Sequence, residues 1–191
     1  MMTVKSDKLK FPKPKLLTYD DYARLTPPDS GNYELHNGKI IYMPSPFYTH
    51  QNISMILSAA LYFHVKNNQL GQVCTAPLDV KLTENDTVQP DILFIKKERE
   101  SIIDGIVKGA PDLVVEILSP SNDAKEMSYK KYIYEVSGVS EYWVINLQKK
   151  ILTQYENVEN ELLLRRVYTP SDILKSLVVD GFEMDLIQIF E

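Results

Sequence analysis

The chain has 191 residues, of which 44% are apolar and 25% charged, with a net charge of −5 and a single cysteine. That length and balance suit one soluble globular domain with its own core. One cysteine excludes an intrachain disulfide framework and a cysteine-rich zinc site. Cys74 reads as a small apolar strand residue, and a reducing, cytoplasmic setting is expected. No window approaches the ~20 apolar residues needed to cross a bilayer, and the first residues lack the apolar stretch of a secretory signal. The acidic balance argues against a protein that coats nucleic acid non-specifically, but not against a nuclease, whose acidic metal site adds negative charge of its own.

Residues 1–14 are expected to form a flexible leader and residues 15–191 a single domain. Thr18 stands before an acidic first turn, Asp20-Asp21, and predicts a helix that stops by Thr26, since Pro27 and Pro28 follow. Tyr33-Glu34-Leu35-His36 and Lys39-Ile40-Ile41-Tyr42-Met43 flank Asn37-Gly38, a strong hairpin signal. From about Tyr48 to Asn67 the pattern is helical, with Ile53, Ile56, Leu57, Ala60, Leu61 and His64 along one stripe. Strands follow at Gly71–Thr75 and Leu78–Leu82, then a turn at Glu84-Asn85-Asp86. Two strongly apolar runs, Ile92–Ile95 and Leu113–Leu118, are separated by a charged, solvent-facing stretch from Lys96 to about Asp104. After Ser119–Asp123 a second long helix runs to about Val136, with Gly138 as its C-cap. Glu141–Ile145 is a strand, with Trp143 in the core. Ile151–Glu156 and Glu161–Val167 form a hairpin, Ser171-Asp172 opens a turn, and Leu186–Phe190 is a short apolar element. The sum is one α/β domain, a mixed sheet with helices on both sides.

The two apolar runs carry carboxylates. Asp91 begins the first, and Glu116 lies inside the second among Leu113, Val114, Val115, Ile117 and Leu118. An ionised carboxylate in such a strand is costly unless a cation pairs with it. The partner is either a lysine, in an internal salt bridge, or a divalent metal. Asp112, in its own Pro-Asp pair, reads as a turn residue. Glu34 is a third candidate, although alone it would be a surface charge. At ~100° per residue, Met127, Lys130, Tyr134 and Ser137 share one face of the second long helix, with Lys131 turned away from it. A lysine on such a face is ordinarily solvated; one that reaches the carboxylates can position or activate a water and stabilise anionic charge at a phosphate. His50, at the start of the first long helix, either faces this site or is a solvated first-turn residue, whereas His36 and His64 read as structural or exposed. Together these groups suit metal-assisted hydrolysis of a phosphodiester.

At these residues the chain resembles the Uma-two family, bacterial proteins grouped with the PD-(D/E)XK restriction-endonuclease-like superfamily. The resemblance rests on Tyr33-Glu34-Leu35 with Gly38, His50, Gln89-Pro90-Asp91, and Pro111-Asp112-Leu113-Val114-Val115-Glu116-Ile117-Leu118-Ser119-Pro120-Ser121. It continues through Lys130, Tyr134, Gly138-Val139 and Glu141-Tyr142-Trp143. It implies a restriction-endonuclease-like mixed β-sheet core flanked by helices, preceded by an N-terminal helix and a β-hairpin. It implies catalytic Asp91, Glu116 and Lys130, and a Mg²⁺ or Mn²⁺ ion bound by Glu34, Asp91 and Glu116. His50 and Tyr134 are candidates for contact with the substrate. The superfamily's usual lysine stands two residues after the glutamate, where this chain has Leu118; its role would pass to Lys130 on the following helix. Asn146 stands where relatives often carry Asp after the Tyr-Trp strand.

The expected activity is a metal-dependent endonuclease acting on DNA, with no membrane association and with a homodimer as a natural way to cut both strands. The competing expectation is a catalytically silent module on the same scaffold that binds nucleic acid or protein. A two-carboxylate glycosidase fits poorly, since no sugar-stacking platform is evident.

Overall fold

The computed structural model describes residues 15–26, 33–119 and 124–190; the expected leader, Pro27-Pro28 and most of the Ser119–Asp123 turn lie outside them. The first helix, α1 (Tyr19–Leu25), starts at Thr18. The Thr18 hydroxyl accepts from the Asp21 amide at 3.4 Å, and the Asp21 carboxylate accepts from the Thr18 amide at 3.2 Å. This is a capping box with Asp in place of the usual Glu.

Strands β1 (Tyr33–His36) and β2 (Lys39–Tyr42) form the expected hairpin. Asn37 and Gly38 take φ of 48° and 68°, the left-handed pair that a two-residue turn of the I′ type requires. Gly38 is needed for space as well, because a Cβ there would stand 2.5 Å from the Leu16 Cβ.

Helix α2 (Tyr48–Asn68) buries His50, Ile53, Leu57, Leu61 and Val65, one stripe at spacings of three and four. After it come β3 (Gly71–Thr75), β4 (Val80–Lys81), β5 (Thr87–Val88) and β6 (Ile92–Lys96). A 3₁₀ turn (Lys97–Ile102) leads to β7 (Ile103–Asp104), β8 (Ile106–Lys108) and β9 (Leu113–Leu118). The remainder is α3 (Ala124–Ser137), β10 (Glu141–Asn146), the long hairpin β11 (Ile151–Val158) and β12 (Glu161–Tyr168), the small hairpin β13 (Ile173–Lys175) and β14 (Glu183–Asp185), and a last short helix α4 (Ile187–Phe190).

The principal sheet has the order β12-β11-β10-β9-β6-β3, in which β9 and β10 are parallel and the other neighbours antiparallel. Side chains alternate across it. Leu113, Val115, Ile117, Trp143 and Ile145 face α2 and the C-terminal segment, in the larger core. Val114, Tyr142, Leu93 and Ile95 face the other way, in a core shared with Tyr134 of α3. Glu116 follows the alternation of Val114 and so belongs to this second face.

A second sheet, β2-β1-β5-β4-β8-β7, covers that face beside α3. It departs from the expected reading in two places. The Leu78–Leu82 strand shrinks to Val80–Lys81, and the charged stretch from Lys96 contains a 3₁₀ turn followed by the first of two short strands. Strands of two or three residues offer no alternation to detect; their pairing is set by tertiary contact. Asp112 is the turn residue expected before β9, and it is buried: it accepts from the Lys96 amide at 2.9 Å and from Arg99 at 2.8 Å.

Candidate active site

Asp91 and Glu116 come together because of register. Ile92 of β6 pairs with Val115 of β9, so Asp91 and Glu116 occupy the next rung of the same ladder. The Ile117 amide donates to Asp91 Oδ2 at 2.7 Å and fixes the carboxylate at the sheet's end. His50, in the first turn of α2, brings Nε2 to 3.2 Å from the same oxygen. The imidazole therefore faces the site, deciding between the two sequence readings. Its Nδ1 is buried and has no hydrogen-bond partner among the described residues. Burial would lower the His50 pKa, but Asp91 outweighs it and holds the imidazole above its ordinary value.

Helix α3 returns across the sheet and delivers Lys130 and Tyr134, one turn apart on one face. Both reach Glu116 Oε1, Lys130 Nζ at 2.6 Å and the Tyr134 hydroxyl at 2.6 Å. Lys130 also reaches Glu34 Oε1 at 3.1 Å. The lysine is 2% exposed, Glu34 1% and Glu116 6%, so this bridge is fully interior. Lys131 is turned away, donating to the Leu162 carbonyl at 3.0 Å.

Glu34 is held from the other side by residues that sequence reading left without a role. Its Oε1 accepts from the Gln89 amide at 2.7 Å, and its Oε2 lies 2.7 Å from His36 Nε2. His36 sits two residues after Glu34 on β1, hence on the same strand face, and its burial departs from the structural-or-exposed expectation only in placing it against the site. That two-residue spacing was the available signal. The His36 ring stacks near Tyr129 of α3 at 5.3 Å, and Tyr129 donates to Asp86, which also accepts from the Asn37 amide at 2.7 Å. Farther out, the Gln89 side chain donates to Asp79 at 2.8 Å, and Asp79 accepts from Tyr19 and Tyr22 of α1. The N-terminal helix is thus joined to the site through Asp79, Gln89 and Glu34.

The electrostatics follow from three carboxylates sharing one lysine. Burial raises the Glu116 pKa, and Asp91 and Glu34 raise it further against the pull of Lys130. Burial would raise Glu34 too, but Lys130 and His36 bring it below the usual carboxylate range. Burial would lower Lys130; Glu116 and Glu34 more than reverse that, so the ammonium keeps its proton. Tyr134 is pushed well up by burial and by Glu116 and Glu34, and stays a hydroxyl donor.

Glu34, His50, Gln89, Asp91, Glu116 and Lys130 line a cleft of about 230 Å³ together with Met43, Pro44, Pro46, Gln51, Ala76 and Pro77. Tyr134, a candidate for substrate contact, is not among the lining residues: it is fully buried behind Glu116. Among the described residues no group of three His, Cys, Asp or Glu side chains stands ready to hold a metal. Both oxygens of Glu34 are engaged. Asp91 Oδ1 and Glu116 Oε2 have no hydrogen-bond partner among the described residues. Two hard oxygen donors with water and substrate filling the rest suit Mg²⁺ or Mn²⁺, because Mg²⁺ commonly binds through one or two carboxylates and keeps several waters. The donor set therefore fits such an ion at Asp91 and Glu116.

A mixed sheet flanked by helices, with carboxylates where two adjoining strands end, is the restriction-endonuclease-like class of α/β fold. The chain belongs to the Uma2 family, whose model, described as "Putative restriction endonuclease", matches residues 19–187. A solved structure from Anabaena variabilis ATCC 29413, described as "a putative nuclease belonging to DUF820", shares the fold with a TM-score of 0.75 at 21% identity, over 91% of this chain and 97% of that one. No curated protein matches. No helix among the described residues is long and apolar enough to cross a membrane.

Proposed function

We propose that the protein is a Mg²⁺- or Mn²⁺-dependent endonuclease that hydrolyses phosphodiester bonds of DNA, with Asp91 and Glu116 holding the metal. The observation that carries this reading is the pair of carboxylates facing each other on one rung at the end of the β6–β9 ladder, each pinned through one oxygen, with no hydrogen-bond partner for the other among the described residues. Family membership and the neighbour's fold support it. A bound ion would lower the pKa of its water and neutralise charge developing at the phosphorus.

The chain's own residues do the rest. The Ile117 amide and His50 fix the Asp91 carboxylate; Tyr134 and Lys130 fix Glu116. Because Lys130 stays protonated, it orients water and faces anionic charge as a donor and does not act as a base. Glu34 anchors Lys130; the family resemblance would make it a third carboxylate toward a bound ion, which would have to compete with its Lys130, Gln89 and His36 contacts. The test is cleavage of plasmid and oligonucleotide DNA with Mg²⁺ and Mn²⁺. Asp91→Asn, Glu116→Gln and Lys130→Met should each abolish cutting while folding persists; cutting retained in all three refutes the assignment.

A silent scaffold is the second reading, favoured by the Lys130 bridge itself, since an ammonium between Glu34 and Glu116 occupies the place where a cation would bind. It predicts no heat on calorimetric titration with Mn²⁺. Binding that disappears in Glu116→Gln removes it.

A further inference from the structure

A divalent ion bound through two carboxylates keeps several waters, and their protons need acceptors. Groups that hold a metal site from outside matter to its affinity nearly as much as the ligands do. Gln89 is placed for such a part. It stands two residues before Asp91 and lines the cleft with it. Its backbone amide is taken by Glu34 at 2.7 Å. Its side-chain nitrogen is taken by Asp79, donating to Oδ1 at 2.8 Å. A carboxylate only accepts, so the amide nitrogen must face Asp79 and the carboxamide oxygen must turn away from it. Oε1 is then the polar side-chain atom left to the cleft, and it accepts no hydrogen bond among the described residues.

Asp79 stands outside the cleft lining, directly before β4. Its carboxylate also accepts from the Tyr22 hydroxyl at Oδ1 and from the Tyr19 hydroxyl at Oδ2, each at 3.3 Å. All three donors are neutral, and the shortest contact is the one with Gln89. Hydrogen bonds onto a carboxylate are about twice as strong as those between neutral groups, so Asp79 can fix a long side chain that would otherwise turn freely. The two tyrosines belong to α1 and hold Asp79 in its place.

We propose that Gln89 Oε1 accepts from a water of the ion held by Asp91 and Glu116, and that Asp79 is the positioning residue that keeps this oxygen turned to the cleft. The proposal rests on the reading of that carboxylate pair as a metal site. It gives the site an acceptor for water that adds no further negative charge to Glu34, Asp91 and Glu116.

The test is calorimetric titration of the full chain with Mn²⁺, with circular dichroism to show that each variant is folded. Gln89→Met keeps the length of the side chain and the amide that holds Glu34, and removes the acceptor. Mn²⁺ should bind to it about tenfold more weakly, the lower end of what an outer partner of a metal site contributes. Asp79→Ala should lose about as much, although it removes nothing that lines the cleft. The double variant should bind no more weakly than Gln89→Met alone, because Asp79 acts through Gln89. Asp79→Asn, whose own carboxamide oxygen can accept from Gln89, should recover most of the loss. Where Asp79→Ala does not fold, Gln89→Met and Asp79→Asn decide. Unchanged Mn²⁺ affinity in Gln89→Met overturns the proposal and leaves the ion site of Asp91 and Glu116 standing; a raised KM for DNA in that variant would then show that the oxygen meets substrate instead. Losses that add in the double variant overturn the part given to Asp79. No Mn²⁺ binding by the wild-type protein removes the ion and the proposal with it. The expected affinities without cleavage of any DNA sustain the proposal and refute the nuclease reading alone.

Discussion

Replacing Lys130 by Met keeps the length of the side chain and removes its charge. The lysine is the one ammonium shared by Glu34 and Glu116, all three being interior. Removing one partner from a buried ion pair costs about 3–5 kcal/mol, because the other charge stays behind without compensation. Two features place this case at the lower end. Glu116 already has a raised pKa and can take up a proton when the lysine is gone, and it keeps the Tyr134 hydroxyl. Glu34 keeps His36 and the Gln89 amide. A loss of about 3 kcal/mol in a chain of this size lowers the melting temperature by roughly 6–12 °C.

The measurement is thermal unfolding by circular dichroism at neutral pH. A double variant, Lys130→Met with Glu34→Gln, separates the ion pair from simple loss of packing. If the cost comes from the stranded charge, the double variant should be less destabilised than the sum of the two singles, by about 1–3 kcal/mol of coupling. A melting temperature within about 2 °C of wild type for Lys130→Met would refute the reasoning, since that is under one kcal/mol. Strict additivity in the double variant would refute the electrostatic part of it.

Further outcomes follow from the same network. Glu34 has a pKa below its ordinary 4.5, so its ionised form contributes stability that is complete above that value and is lost as the pH falls through the lowered one; the stability gap between wild type and Glu34→Gln, followed by urea unfolding, should narrow steadily below pH 4.5. Tyr134→Phe removes the hydroxyl donor to Glu116 and should cost about 1.5–3 kcal/mol in urea unfolding, with secondary structure retained. Glu141 is buried on β10 and accepts from Trp143, Gln154, Ser176 and the amides of Leu177 and Val178, so Glu141→Gln should cost about 1–3 kcal/mol by turning an amide donor onto other donors, and leave any Mn²⁺ titration unchanged.

Local chemistry was legible in the sequence wherever one short segment carried the whole signal. Thr18 with Asp21 announced α1, and Asn37-Gly38 announced its hairpin down to the two left-handed residues. Glu116 was legible because a charge inside an apolar strand requires a partner, and the face of α3 that holds Lys130 and Tyr134 was legible from helical spacing. The second sheet was not, because its strands of two or three residues exist only by pairing across long stretches of chain, Leu35 with Thr87 and Val80 with Val107. Nor was the hold of Gln89 on Glu34, which a backbone amide provides; any residue but proline has one, and only the fold aims it at Glu34. His36 fell between these cases: alternation put it on the face of Glu34, but what lay opposite that face was not written in the strand.

On the proposed function, the Lys130 bridge shows how a helix would supply the lysine that the resemblance expects on the glutamate's strand. In a strand, a residue two places after Glu116 shares its face, and Leu118 occupies that position. A helix that crosses the same face can deliver an ammonium from farther along the chain, provided something holds the helix at the right height. Here the hold is double. Tyr134, one turn beyond Lys130, ties α3 to Glu116, and Tyr129, one residue before it, ties α3 to Asp86 and the β1–β2 hairpin. Glu34, on that hairpin, then closes the bridge from the opposite side. The hairpin and α3 therefore position one another. A shift of either would move Lys130 relative to Asp91 and Glu116, so Lys130 is held from both sides, and the N-terminal hairpin is part of what positions it.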